Sequence, residues 1–255
     1  KIKKAKVIYN VQEIYPDLLI EEGGLKSKLI INFLKHLEQF VYNKSDAITT
    51  IDDIFYKTIV SRLNDKSKLY VIPNFIDTSL YKPTQSIDLK SNSELFPDND
   101  SLKIMYAGNI GYAQDWSLFI DVAKKLFGYN VEFYIIGEGV MKGNLINDVI
   151  SNQLSNVKIL PYQQRELIPS ILNFADLHFI FMTKKTEGQG FPSKVYSILA
   201  CSKPLLVSSG PNTPIINFLA NKECAFCFTD NVMSKRTDKI VSLLKTIDKG
   251  ELKSI

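Results

Sequence analysis

Histidine and tryptophan are almost missing from these 255 residues: two His, His36 and His178, and one Trp. A site that converges several imidazoles on a metal ion is hard to build from that supply. Cysteine is scarce too. Cys201, Cys224 and Cys227 make an odd count, which suits a reducing compartment better than a disulfide framework. Cys224 and Cys227 form a C-x-x-C, yet no second Cys/His pair accompanies it. Within the apolar run ECAFCFT they read as reduced thiols of a buried strand. No stretch reaches the ~18 apolar residues of a membrane span, and no signal-peptide pattern opens the chain. Charge of one sign is lacking as well. Thirty-one basic against 27 acidic residues leave +4, with no basic face of the kind that binds nucleic acid. A complete G-x-G-x-x-G is absent, which weighs against a dinucleotide. No D-x-D motif sits at a strand end, so no metal or other cofactor is expected.

What remains is an ordinary globular composition, 45% hydrophobic and 23% charged, with enough apolar mass for a core. Strand and helix patterns alternate, which predicts α/β architecture with parallel sheets. Strands are predicted at 7–11, 47–50 and 69–72. Between the first two, residues 25–43 carry apolar side chains at the helical period. That stripe, beside Lys26, Lys28 and Lys35, reads as a core-packed amphipathic helix, with peripheral membrane contact as the alternative. Asp52 or Asp53 can cap the next helix. The segment 77–101 is rich in Pro, Asn, Ser and Asp and reads as a linker. A second alternating series runs from 102 to 230, and a last helix follows within 231–255. The plan is one partial and one nearly complete Rossmann-like domain, the first comprising residues 1–76. The opening KIKKAKVIYNV leads straight into a strand, as if the chain were a fragment of something longer.

Ligands of such folds lie at the C-terminal ends of the strands, so the loops there are the places to look. After the strand 102–107 comes Gly108-Asn109-Ile110-Gly111. Its glycines permit backbone N–H groups to approach a phosphate, with a helix start behind them. After the strand 131–136 comes Gly137-Glu138-Gly139, either a plain tight turn or a loop that turns Glu138 to the crevice. Pro161-Tyr162-Gln163 follows the strand 157–160; Tyr162 can flank a base or lie on a surface turn. The richest segment is 187–204, EGQGFPSKVYSILACSKP. Glu187 and Gln189 lie in a Gly-rich lead-in. Pro192 and Ser193 then open a helix, and Lys194 sits in its first turn. A cation is unfavourable at a helix N-terminus. An anionic ligand beside it removes that cost, so Lys194 is the leading candidate for a diphosphate contact.

In this order the loops resemble the retaining family-4 glycosyltransferases of the GT-B fold, in the branch that makes bacterial surface polysaccharides. VIPNFID at 71–77 is similar to that family's interdomain signature, with Phe75 where Gly is usual. YAGNIGYAQDW at 106–116, FYIIGEGV at 133–140 and the Pro-Ser-Lys segment fit the same branch. The resemblance implies a GT-B fold of two Rossmann-like domains, the first incomplete. It implies transfer from a nucleoside-diphosphate sugar to a saccharide or lipid-linked acceptor, in the cytoplasm or at the inner membrane face. Gly108 and Gly111 would face the donor phosphates, with Asn109 and Gln114 at positions often held by Arg and Lys. Lys194 would contact the diphosphate. Ser197 stands where the family has the glutamate that holds the ribose. The other glutamate of that pair maps to Glu187 by its loop, or to Gln189 by counting. Glu13 lies where relatives carry an acidic or His residue facing the cleft, or simply caps the turn before Pro16. Two other readings stay open: a nucleotide-sugar-binding partner subunit without turnover, and a GT-B-fold sugar-nucleotide epimerase.

Overall fold

The computed structural model describes residues 5–21, 24–84, 89, 94–187 and 191–252. It divides into two units, Lys1–Phe75 and Ile76–Ile255. The first contains β1 (Ile8–Val11), α1 (Asp17–Glu21), α2 (Lys28–Lys44), β2 (Ala47–Thr50), α3 (Asp53–Val60) and β3 (Leu69–Val71). Its sheet is parallel, in the order β1-β2-β3. Asp52 is the cap of α3: its carboxylate accepts the Phe55 N–H at 2.7 Å, meeting an amide that has no partner within the helix. Val11, Tyr42, Ile48, Phe55, Ile59 and Leu69 form the core of this unit. Arg62 ties its helices by donating to Glu38 at 2.9 Å and to Asp17.

One expectation about this unit is corrected. The helical period at 25–43 produces α2, but α2 is not core-packed along its stripe. Leu29, Ile30, Phe33, Leu37 and Phe40 are exposed, and of the whole helix Tyr42 alone is buried. Periodicity reports an apolar face; it does not say that something covers it.

The second unit contains β4 (Leu102–Ala107), α4 (Trp116–Lys125), β5 (Val131–Ile136), α5 (Lys142–Ser151), β6 (Val157–Leu160), α6 (Ile168–Phe174) and β7 (Leu177–Phe181). It continues through α7 (Lys194–Ala200), β8 (Leu205–Ser208), α8 (Pro214–Leu219), β9 (Ala225–Phe228), α9 (Met233–Thr246) and α10 (Lys249–Leu252). Side chains of β4 alternate between two cores. Leu102, Ile104 and Tyr106 join Trp116 and Phe119 of α4 and Ile240 of α9. Met105 joins Phe96 and Ile171 on the other side. A sheet covered on both faces has largely apolar strands; here β4 to β7 are apolar except at Lys103, Glu132, Lys158 and His178. The irregular segment after residue 77 contributes to that second core. Phe96 is buried, stacks on Tyr134 at 6.3 Å and meets Phe174 edge-on at 5.2 Å.

All six strands are parallel, in the order β6-β5-β4-β7-β8-β9. The chain builds outward from β4 in one direction, then returns and builds outward from β7 in the other. The C-terminal ends of β4 and β7 therefore flank the topological switch point, the place where folds of this class take ligands; there the loop after β4 is tied to β7 and its following loop by Asp115 N–H to Phe181 O at 3.1 Å and Thr183 N–H to Ala113 O at 3.0 Å. At the far edge, β9 pairs on one side only among the described residues, with β8. This corrects the buried-strand reading of the C-x-x-C. Cys227 is exposed and Cys224 half-buried, both as free thiols, because an edge strand is covered less than a central one.

Candidate functional site

Three strand-end loops are sewn together by backbone hydrogen bonds. The Gly108 N–H donates to Ile136 O at 2.9 Å, Ile110 N–H to Glu138 O at 2.8 Å, and Gly137 N–H to Leu160 O at 3.0 Å. The glycines make this approach feasible. Gly137 has φ 152°, and a Cβ there would stand 1.9 Å from Gly108 O. A Cβ on Gly139 would stand 2.3 Å from Ile110 O. Gly137 and Gly139 thus serve loop-on-loop packing. The amide of Gly111 donates to Gln114 Oε1 at 3.3 Å, and its carbonyl accepts from Trp116 Nε1 at 2.8 Å. The start of α4 is capped by Asp115, whose carboxylate accepts the Leu118 N–H at 3.1 Å. The Gly108 and Gly111 amides, and the positive end of α4, are engaged within the protein.

Lys194 stands differently. Phe191, Tyr196 and Phe218 pack on one another, with Phe191 5.2 Å from Tyr196 and 5.0 Å from Phe218. This seats the start of α7 against α8. From there Lys194 turns to the end of β4, where its Nζ lies 3.7 Å from the centre of the Tyr106 ring. Tyr106 is held rigidly. Its hydroxyl donates to Asn109 O at 2.6 Å, and its ring packs on Trp116 at 5.3 Å and Phe181 at 5.2 Å. A Cβ on Gly108 would come within 2.8 Å of Lys194 Nζ. Lys194 and Gly108, widely separated in sequence, therefore meet at the switch point. Among the described residues, no carboxylate lies within ion-pair distance of Lys194. Loss of hydration lowers its proton affinity, to a pKa of about 7.

Glu187 follows β7, and its carboxylate points to the loop after β8. Its Oε2 accepts the Gly210 N–H at 2.6 Å and lies 3.5 Å from Arg236 Nη1. Arg236 reaches there from α9, is 1% exposed, and also donates through Nε to Asp230 O. A buried guanidinium needs such partners, since an unpaired charge away from water is costly. Arg236 lies in the polar run SKRTDK, which gives no hint of burial. Ser197 donates back to Lys194 O at 2.8 Å, inside its own helix. Glu138 pairs with Lys142 at 2.6 Å on a partly exposed turn. Tyr162 is exposed, as is Ser193, while Pro192 is half-buried. Gln189 lies outside the described residues. In the first unit, Glu13 accepts the Tyr15 hydroxyl at 2.8 Å. Among the described residues no three His, Cys, Asp or Glu are grouped to hold a metal ion. No described helix is long and apolar enough to cross a membrane.

The second unit has the strand order and loop placement of a Rossmann-like nucleotide-binding domain. Residues 88–250 match the family model of glycosyl transferases group 1, and the chain belongs to that family. It is similar to WcaI of Escherichia coli (strain K12), a glycosyl transferase named for colanic acid biosynthesis. The two are 22% identical over 224 residues, covering 84% of this chain and 54% of WcaI. It is also similar to the glycosyltransferase WbjE of Pseudomonas aeruginosa, at 22% over 206 residues, 79% of this chain and 50% of that protein. The chain thus spans about half the length of the curated relatives it matches. Among solved structures, HepE of Anabaena, crystallised with UDP-glucose, superposes with a TM-score of 0.72 at 13% identity, covering 99% of this chain and 68% of HepE. A mutant of TarM of S. aureus, crystallised with Fondaparinux, alpha-GlcNAc-glycerol and UDP, gives 0.64 at 15% identity, covering 98% of this chain and 46% of TarM. The fold is that of the GT-B glycosyltransferases, two α/β units with parallel sheets.

Proposed function

We propose that the protein is a glycosyltransferase of cell-surface polysaccharide synthesis. It moves a hexose-type sugar from a nucleoside-diphosphate donor to a saccharide or lipid-linked acceptor. The observation that carries this reading, within the family established above, is the meeting of Lys194 with Gly108 and Tyr106 at the switch point. An amine without a carboxylate partner stands where this fold class takes phosphates. In the reaction, the bond from the anomeric carbon to the diphosphate oxygen breaks, and negative charge grows on the leaving group. Lys194 stabilises that charge. Tyr162 lines the base end of the site, and Ser197 leaves the ribose without the carboxylate that relatives use.

The reading extends to retention of anomeric configuration and to family 4, both from the resemblance of the loop motifs. No metal ion is required in it, because the cation at the leaving group is Lys194. The resemblance of its segment assigns Glu187, whose carboxylate is held by Gly210 and Arg236, to the donor side, and Glu13 to the acceptor side. The work takes place in the cytoplasm at the inner membrane face. The exposed apolar residues of α2, flanked by Lys26, Lys28 and Lys35, have the chemistry for such a surface. The test is a transfer assay with labelled nucleotide sugars and lipid-linked saccharides, using the product of the complete coding sequence. Turnover that Lys194→Ala reduces at least tenfold supports the reading. Donor binding with no transfer to any acceptor would establish a binding subunit instead. Interconversion of free nucleotide sugars would establish an epimerase.

A further inference from the structure

Arg236 is a cation in a place that an apolar side chain could fill. It is 1% exposed and shares the buried face of α9 with Ile240, Val241 and Leu244. Replacing a buried ion pair by well-packed hydrophobic residues is often neutral or stabilising, so core packing alone does not account for it. A guanidinium can do what a hydrocarbon cannot: hold several loops by directed hydrogen bonds. Its Nε donates to Asp230 O in the loop after β9, and its Nη1 lies 3.5 Å from Glu187 Oε2 in the loop after β7. The loop after β8 joins through the same carboxylate oxygen, to which the Gly210 N–H donates at 2.6 Å. Arg236 thus sits where the loops after β7, β8 and β9 meet, at the strand ends where this fold class takes ligands.

Both partners of Arg236 are held ready for it. The Glu187 N–H donates to Thr183 O at 3.0 Å, closing a turn. The Thr186 hydroxyl ties that turn to Ala113 O, in the loop after β4, at 2.8 Å. On the other side, the buried Thr213 hydroxyl donates to Gly210 O at 3.1 Å and meets the Ser209 hydroxyl at 2.9 Å. A Cβ on Gly210 would stand 2.3 Å from Glu187 Oε1. Gly210 does not have a positive φ, so its missing side chain serves the seat of the carboxylate and not the backbone conformation. The Glu187 carboxylate is spent on holding loops, and the segment that it opens carries Lys194.

We propose that Glu187 and Arg236 form a latch that positions the donor site, with Gly210 as its seat. The latch fixes the loops after β7, β8 and β9 to one another, and so fixes the near end of the segment that bears Lys194. The inference rests on the donor-site reading above and adds what holds that site in register. Lys194 is the contact in this scheme. Glu187 and Arg236 are positioning residues that touch no atom of the donor.

The experiment is calorimetric titration of the full chain with UDP, GDP, ADP and dTDP at pH 7. Fluorescence of Trp116 sets a temperature at which every variant is folded. Glu187→Ala, Arg236→Met and Gly210→Ala should each weaken the diphosphate that binds by about tenfold, the order expected when a contact is misplaced by part of an ångström. The Glu187→Ala, Arg236→Met double variant should bind no more weakly than either single one, since one latch is lost once. Gly128→Ala, which disturbs the unit elsewhere, should bind as the unaltered protein does. Gly210→Ala retains both charges and decides the matter alone where Arg236→Met fails to fold. Unaltered affinity in folded Arg236→Met or Gly210→Ala overturns the latch and leaves the donor site standing. So does a Glu187→Ala variant that slows sugar transfer yet binds the diphosphate normally, because Glu187 would then act on the sugar. Binding of none of the four ligands by the unaltered protein removes the donor-site reading and this inference with it.

Discussion

Gly137→Ala tests whether the second unit depends on loops packed backbone to backbone. The new Cβ would stand 1.9 Å from Gly108 O, against 3.4 Å for ordinary contact, so the loops after β4 and β5 must part by roughly 1.5 Å. Parting lengthens two hydrogen bonds, Gly108 N–H to Ile136 O at 2.9 Å and Ile110 N–H to Glu138 O at 2.8 Å. Each is worth about 1 kcal/mol. The φ of 152° adds backbone strain for an L side chain, about 1–2 kcal/mol. Together the cost is on the order of 4 kcal/mol, a large part of the 5–15 kcal/mol typical of a domain. Trp116 is the only tryptophan of the chain and is buried in the second unit, so its fluorescence in urea reports that unit. The midpoint is expected to fall by about 2 M. Gly128→Ala is the control. Its φ is 85° with nothing within 4 Å of the new methyl, so it should lose only about 1–2 kcal/mol. Equal losses in the two variants would refute the packing argument.

Other outcomes follow from the same contacts. Gly143 lies inside α5 with open space around it; Gly143→Ala should raise stability by about 0.5–1 kcal/mol in the same urea assay. Arg236→Met strands the Glu187 carboxylate and should cost about 3 kcal/mol. Adding Glu187→Gln should recover part of that loss, and a fully additive double mutant would show that the pair is not coupled. His178 has its proton affinity lowered by burial, to a pKa of about 4 from an ordinary 6.5. The unfolded chain takes up that proton first as pH falls. The contribution of His178 is therefore present above pH 6.5 and lost between about pH 6.5 and pH 4, up to about 3 kcal/mol. His178→Gln should flatten that stretch of the pH–stability curve measured by thermal melting.

Much of the fold was legible because the central strands of the second unit are buried on both faces. Residues such as Ile104, Phe133 and Phe179 sit in unbroken apolar runs, and the alternation of such runs with helical periods implies parallel α/β layers. The Lys194 site was half legible. Pro192, Ser193 and Lys194 mark a helix start, and Gly108 marks a close approach, but only folding brings Nζ over Tyr106. Tyr106 itself reads as one more core position of β4. Arg236 was illegible because its sequence neighbours are polar and its burial comes from the loops it reaches. The uncovered stripe of α2 shows the opposite failure: a pattern that reads as core and is not. Cys227 misled for a related reason, since a short apolar run does not reveal that its strand is at an edge.

An anionic diphosphate held against Lys194 at the end of β4 is the centre of the proposed function. Titration of nucleoside diphosphates into the unaltered protein and into Lys194→Met at pH 7 tests this most directly. At least one diphosphate should bind the unaltered protein, and the loss of the amine should weaken it about tenfold or more, the worth of one charged contact. Tight binding that is unchanged in Lys194→Met would contradict that placement, because the phosphate would then sit elsewhere.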